Sequence, residues 1–197
     1  MVAVNDFQDC VEILKEAKRH FRDSLSAFEF FDKHSMQAMT SSFPEQVQYP
    51  FGGDTMHRFF LNIEVEAYGP EDDVDGRLFS FLEKIGDRME DGVVAQDSKQ
   101  FDQLWFLRKG IITSGTQMGT IYQGNLAVPD LANYYDVIEA MHSRLAETAE
   151  LTAEEKDLVR ILGYGHLADG DIQITLVTMG HNDETKVLRE KVSNVFD

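Results

Sequence analysis

Asp169-Gly170 sits between two runs rich in β-branched and apolar residues, Val159–Leu167 and Asp171–Thr178. Glycine takes positive φ freely and aspartate tolerates it, so this dipeptide predicts a two-residue hairpin turn. A turn that short joins antiparallel neighbours, so the chain must contain an antiparallel ladder whatever its other connections do. The turn also sets a register. Ala168 falls opposite Asp171, Leu167 opposite Ile172, His166 opposite Gln173 and Tyr164 opposite Thr175. Side chains alternate across a sheet, so Leu167 and Ile172 share one face, and Tyr164, His166, Gln173 and Thr175 share the other.

The rest of the chain supplies the other layers. Phe7, Cys10, Val11, Leu14 and Phe21 form one stripe, predicting an amphipathic helix over 5–21 with Asn5 or Asp6 as its cap. Residues 24–31 read as a strand and 32–40 as a short helix. Two prolines and two glycines make 41–56 a loop. Residues 57–68 alternate as a strand should, and 71–90 carry apolar residues at helical spacing. A short strand over 92–96 precedes a helix opened by Asp97 and Ser98, with Gln100 at capping-box spacing. Residues 120–128 are strand-like. Pro129 and Asp130 open a helix to about Leu145, Thr152 and Glu155 suggest a capped turn, and Asn182 caps a last helix to about Val195. Phe28, Phe30, Phe59, Phe60 and Trp105 are assigned to the core. The expected fold is α+β, a ferredoxin-like sandwich of two βαβ-like halves, with helices packed on a mostly antiparallel sheet. At 197 residues the chain is expected to form a single domain.

Thirty-five acidic against 18 basic residues give a formal net charge of -17. That field repels nucleic acid and anionic membranes, so neither is an expected partner. It repels a small anion too, unless a local cation overrides it. The single cysteine, Cys10, allows no internal disulfide. No apolar run approaches the roughly 20 residues that cross a bilayer. The first residues show neither the basic-then-apolar order of a signal peptide nor the Arg-rich, acid-poor character of a mitochondrial presequence.

Two kinds of chemistry are conceivable at the polar face of the hairpin. A histidine there is ordinarily a hydrogen-bonded or exposed residue, but two side chains directly opposite one another could also hold one ion. Arg108 lies beside an apolar helix stripe of Phe101, Leu104, Trp105, Ile111 and Ile112. A guanidinium in that setting needs an anionic partner, either a bound carboxylate or a structural acid. His57, His142 and His181 stand alone and receive no role. The acidic clusters at 71–73 and 154–155 read as solvated caps or loops.

Gly165-His-Leu-Ala-Asp-Gly-Asp-Ile-Gln173 resembles the Gly-His-x-Gly-Asp-Gly-Asn-x-His signature of the FAD-linked D-2-hydroxyglutarate and D-lactate dehydrogenases. Leu104-Trp-Phe-Leu-Arg-Lys109 is similar to that family's Leu-Trp-x-Leu-Arg-Glu, and Ala27-Phe-Glu-Phe-Phe-Asp32 to its Ala-Tyr-Glu-Phe-Met-Asp. Asn62-Ile-Glu64 and Leu126-Ala-Val-Pro129 match its strand pieces, so the resemblance runs over essentially the whole chain. It implies a C-terminal, substrate-binding domain that works beside a separate FAD-binding domain, in cis or in trans, on a small 2-hydroxyacid. It implies His166 as the catalytic and metal-binding residue near the hydroxyl, and Arg108 on the substrate carboxylate. Gln123, Thr175 and Thr113 fall at or beside substrate-contacting positions. Location would be mitochondrial by this resemblance, otherwise cytoplasmic.

The departures are specific. Gln173 stands where the family has its second metal-binding histidine, and an amide is a poor zinc ligand beside imidazole. The chain ends before the family's Glu-His-Gly motif. Gln123 stands for a lysine, Ile112 for a threonine, Thr175 and Asp171 for asparagines. The family's zinc is therefore expected to be held weakly or not at all, and the isolated chain to be inactive. Those losses also allow a second reading, a degenerate interaction domain with a protein partner. Some eukaryotic members of the family carry an actin-interacting label, which makes actin the conceivable one.

Overall fold

A computed structural model describes residues 1–53, 55–181 and 184–196. Seven strands form one sheet in the order β4-β1-β3-β2-β6-β7-β5. They are β1 (Val2–Val4), β2 (Leu25–Asp32), β3 (Phe59–Val65), β4 (Asp91–Gly92), β5 (Gly119–Ala127), β6 (Val159–His166) and β7 (Asp171–Met179). Every pair of neighbouring strands is antiparallel. The α+β expectation holds, with helices packed on both faces of the sheet.

Strand alternation sorts the apolar residues into two cores. On one face Val2, Val4, Phe28, Phe30, Phe59, Leu61, Ile161 and Ile172 meet helices α1 (Phe7–Phe21), α3 (Val74–Ile85), α6 (Asp136–Glu147) and α8 (Glu184–Phe196). On the other, Ala3, Phe31, Phe60, Leu162, Tyr164 and Val177 meet α2 (Lys33–Ser42), α4 (Ser98–Lys109) and α5 (Ile111–Met118). The caps follow the local chemistry of the sequence. Asp6, Asp32, Asp73 and Asp97 each accept a backbone N–H in the first turn of a helix, and Thr152 with Glu155 forms a complete capping box on α7 (Ala153–Lys156). The expected cap at Asn182 lies outside the described residues.

The structure corrects the sequence reading in several places. β1 has no counterpart there, because three residues carry too little periodicity to mark a strand. The short strand over 92–96 contracts to Asp91–Gly92. Residues 129–145 open as a 3-10 turn, Leu131–Asn133, before α6 begins. The helix that carries Arg108 ends at Gly110, where the backbone turns into α5. Phe28, Phe30, Phe59 and Phe60 are buried as expected, but Trp105 is only half-buried.

The hairpin is the correction that matters most. Leu167–Asp169 form a 3-10 turn and Gly170 closes it in the left-handed region at φ 70°. The loop thus spans four residues, and His166 pairs with Asp171 while Tyr164 pairs with Gln173. Burial is the cause: Leu167, fully buried, leaves the ladder to enter the core beside Ile172. The register moves by two residues, an even number, so the facial assignment survives. Tyr164, His166, Gln173 and Thr175 still share one face.

Candidate functional site

Backbone pairing lays a row of polar side chains across four strands. Asn62 on β3 faces Glu29 on β2, Glu29 faces His166 on β6, and His166 faces Asp171 on β7. The neighbouring row is Phe60, Phe31, Tyr164 and Gln173, apolar except toward β7. The polar row therefore lies at the edge of the core beneath α4.

Glu29 is the centre of the group. It sits among aromatic residues and is 6% exposed. Its Oε1 lies 2.6 Å from His166 Nδ1, and its Oε2 lies 3.0 Å from Arg108 Nε. The second contact is an ion pair without hydrogen-bond alignment. Arg108 is almost as buried as Glu29, at 7%, and its guanidinium carbon lies 4.8 Å above the Tyr164 ring. A buried guanidinium is thereby neutralised by a carboxylate and backed by a π face. The imidazole of His166 is nearly half exposed.

A second chain of contacts fixes Tyr164. Its hydroxyl lies 2.8 Å from Thr175 Oγ1. Burial raises the phenol above its ordinary range, against the opposing pull of the Thr175 hydrogen bond and of Arg108, so Tyr164 stays neutral. The strand end beside His166 is held from the other face: Tyr134 donates to Asp171 O at 2.6 Å. Only glycine fits at 165, because a Cβ there would collide with that hydroxyl and with the Asp171 carbonyl.

The residues expected from sequence distribute unevenly. His166 and Arg108 come together through Glu29. Thr175 is fully buried and engaged with Tyr164. Gln123 on β5 pairs with Thr175 in the ladder and is exposed. Gln173 sits diagonal to His166 and donates to Asp171 Oδ2 at 3.3 Å. Thr113 is on the exposed side of α5, two residues from Gly115, whose backbone packs against Thr175 and Val177. Among the described residues Thr113 accepts from Thr116 through its carbonyl oxygen and makes no hydrogen bond to the group. Glu29 is the residue that sequence reasoning passed over. Its signal was available: a carboxylate flanked by Phe28, Phe30 and Phe31 on a buried strand requires a cationic partner.

The donor set does not suit a tightly held zinc ion. Among the described residues, no three His, Cys, Asp or Glu side chains are placed to share one ion. His166 Nδ1 is already committed to Glu29, and the position that would add a second imidazole carries an amide.

A family described as FAD linked oxidases, C-terminal domain, matches residues 1–197. The chain belongs to this FAD-linked oxidase family. A probable mitochondrial D-2-hydroxyglutarate dehydrogenase of Oryza sativa subsp. japonica is 30% identical over 186 residues, covering 93% of this chain and 31% of that protein. A D-2-hydroxyglutarate–pyruvate transhydrogenase of Saccharomyces cerevisiae is 28% identical, covering 95% of this chain and 37% of that protein. A putative mitochondrial D-lactate dehydrogenase of Schizosaccharomyces pombe is 27% identical, covering 88% and 32%. The chain spans about a third of the length of the curated relatives it matches. Membership in an FAD-linked oxidase family implies FAD in the complete protein. Among the described residues no strand-to-helix junction carries the repeated glycines that cradle a dinucleotide. No helix is long and apolar enough to cross a membrane among the described residues.

Proposed function

We propose that residues 1–197 form the substrate-binding domain of an FAD-dependent D-2-hydroxyacid dehydrogenase, inactive without its flavin-binding domain, and that the complete protein is mitochondrial. The observation that carries this is the chain of contacts Arg108–Glu29–His166, assembled from a helix and the two adjacent interior strands β2 and β6. A flavin held by a separate domain would supply the hydride acceptor for the substrate α-carbon. The residues of this chain bind the acid and take the proton.

Glu29 accepts from Nδ1–H of His166, which leaves the lone pair on Nε2. Nε2 is then the atom that receives the hydroxyl proton as the α-carbon becomes a carbonyl carbon. The Glu29 carboxylate stabilises the imidazolium so formed. Arg108 presents Nε to Glu29 and keeps its two Nη groups for a substrate carboxylate. Glu29 cancels the charge of Arg108, so in a chain of net charge -17 the guanidinium offers an anionic substrate directed N–H donors rather than a net positive field. Gln123 contributes an amide on the exposed side of the same face, and Thr175 positions Tyr164 beneath Arg108. Two substrates suit this arrangement, D-2-hydroxyglutarate and D-lactate.

The alternative of a degenerate interaction domain rests on the departures from the family pattern, Gln173 at the second metal position foremost. The intact Arg108–Glu29–His166 arrangement favours the enzyme. The test joins this chain to a flavin-binding domain and follows oxidation of both acids with an artificial electron acceptor. Activity is expected, with His166→Gln lowering kcat by about 10²–10⁴ and Arg108→Gln acting chiefly on KM. No rate above blank would reject the reading.

A further inference from the structure

We propose that the site prefers 2-hydroxyacids whose side chain is uncharged, and that Asp171 enforces this by repelling a second carboxylate; the inference rests on the hydroxyacid reading and narrows it. The pose follows from the strand order. Arg108 is ion-paired with Glu29 on β2, and its guanidinium carbon lies 4.8 Å from the ring of Tyr164 on β6, the strand that also carries His166. A substrate with its carboxylate on Arg108 and its hydroxyl at His166 therefore directs the substituent of its α-carbon onward to β7, about 4.8 Å further across the sheet. Asp171 is the β7 residue directly opposite His166, on the same face. Positions so paired have Cβ atoms about 4.5–5.5 Å apart.

Charge then decides what that substituent can be. Asp171 is partly exposed, accepts from Gln173 Nε2 at 3.3 Å, and forms no ion pair among the described residues. Its neighbours on this face toward β5, Gln123, Asn125 and Gln173, are neutral amides. Arg160 is the other cation on this face of the strands, but it lies at the far end of β6, bonded to the carbonyls of Asp157 and Val159. Lys18 reaches the hairpin from α1, a helix of the opposite face, and is held by Ala168 O at 2.8 Å. With Glu29 cancelling Arg108, Asp171 leaves the group net negative. The Arg108 donors still hold one carboxylate at close range, as directed hydrogen bonds do. A second carboxylate about 6 Å from Asp171 meets no cation and is disfavoured by roughly tenfold, a repulsion between the near-surface and bulk-water limits.

D-2-hydroxyglutarate and its 5-carboxamide are near-isosteric and differ by one charge, so the ratio of their kcat/KM values in the complete, flavin-loaded protein reads the effect. D-lactate is the reference with a small uncharged side chain. The amide is expected to exceed the diacid by about tenfold at low salt. Raising the ionic strength from about 0.01 to 1 M shortens the screening length from about 30 to 3 Å and should narrow that gap. Asp171→Asn keeps the side-chain shape and should bring the ratio within about threefold of unity. Because a ratio is read, any effect of the substitution on His166 cancels. If that variant does not fold, the salt series on the unaltered protein carries the test. The inference is overturned if the diacid is used as well as the amide, or if the preference survives both Asp171→Asn and high salt. Either result with D-lactate turned over sinks this inference alone, whereas no turnover of any of the three acids rejects the hydroxyacid reading beneath it.

Discussion

Glu29 Oε1 lies 2.6 Å from His166 Nδ1, so a carboxylate buried on one strand orients an exposed imidazole on the next. The same carboxylate reaches Arg108 with its other oxygen, at 3.0 Å. One side chain thus serves both stability and the proposed chemistry, and the two roles are separable by measurement.

Removing the carboxylate leaves a buried guanidinium without a counter-charge. Glu29→Gln is expected to cost about 3–5 kcal/mol, read as a lower urea midpoint. Combining it with Arg108→Met should recover much of that loss, because no unpaired charge remains. A cost under about 1 kcal/mol would mean that the pair behaves as an exposed one.

The turn that delivers His166 depends on Gly170. Its φ of 70° lies in the left-handed region, and a Cβ there would stand 2.7 Å from Val128 O. Gly170→Ala should destabilise by more than about 1 kcal/mol in thermal or urea unfolding. Ala168→Gly in the same loop should have a far smaller effect.

The His34 and His142 rings lie with centroids 4.5 Å apart, tilted by 32°, and both are half-buried. Burial first, then Lys33 and Arg160, lowers His34 below its ordinary value of 6.5. Burial first, then His34, lowers His142, against the opposing pull of Asp32 and Glu139. A histidine depressed in the folded state contributes stability that is whole above pH 6.5 and is lost as pH falls through the folded value. Unfolding free energy should therefore drop as pH falls below 6.5, by at most about 1.4 kcal/mol per pH unit for each histidine. His142→Gln should flatten that slope. An unchanged slope would show that the pair does not titrate in this window.

Gln173 and His166 are diagonal neighbours on one face, and diagonal positions lie about 7–8 Å apart. Two imidazoles so placed can converge on one ion. Gln173→His should raise zinc affinity at least about tenfold over the unaltered chain, measured by calorimetry. Equal affinities would show that Glu29 holds His166 turned away from the ion.

Much of this protein is local in origin. Helix stripes, capping aspartates, alternating strands and the Asp169-Gly170 turn all depend on residues within a few positions of one another, so the sequence alone determined most of the longer helices and strands, the antiparallel hairpin and the face that His166 occupies. Three things belong to the tertiary structure. β1 exists because Val2, Ala3 and Val4 find β3 and β4 beside them, not because three residues prefer a strand. The hairpin register moved because the core takes Leu167 out of the ladder, and only the packed core sets how much that burial is worth. The partner of Arg108 was undecided between a ligand and an acid, since Coulomb attraction acts through space and residues 29, 108 and 166 become neighbours only when the sheet and α4 close around them.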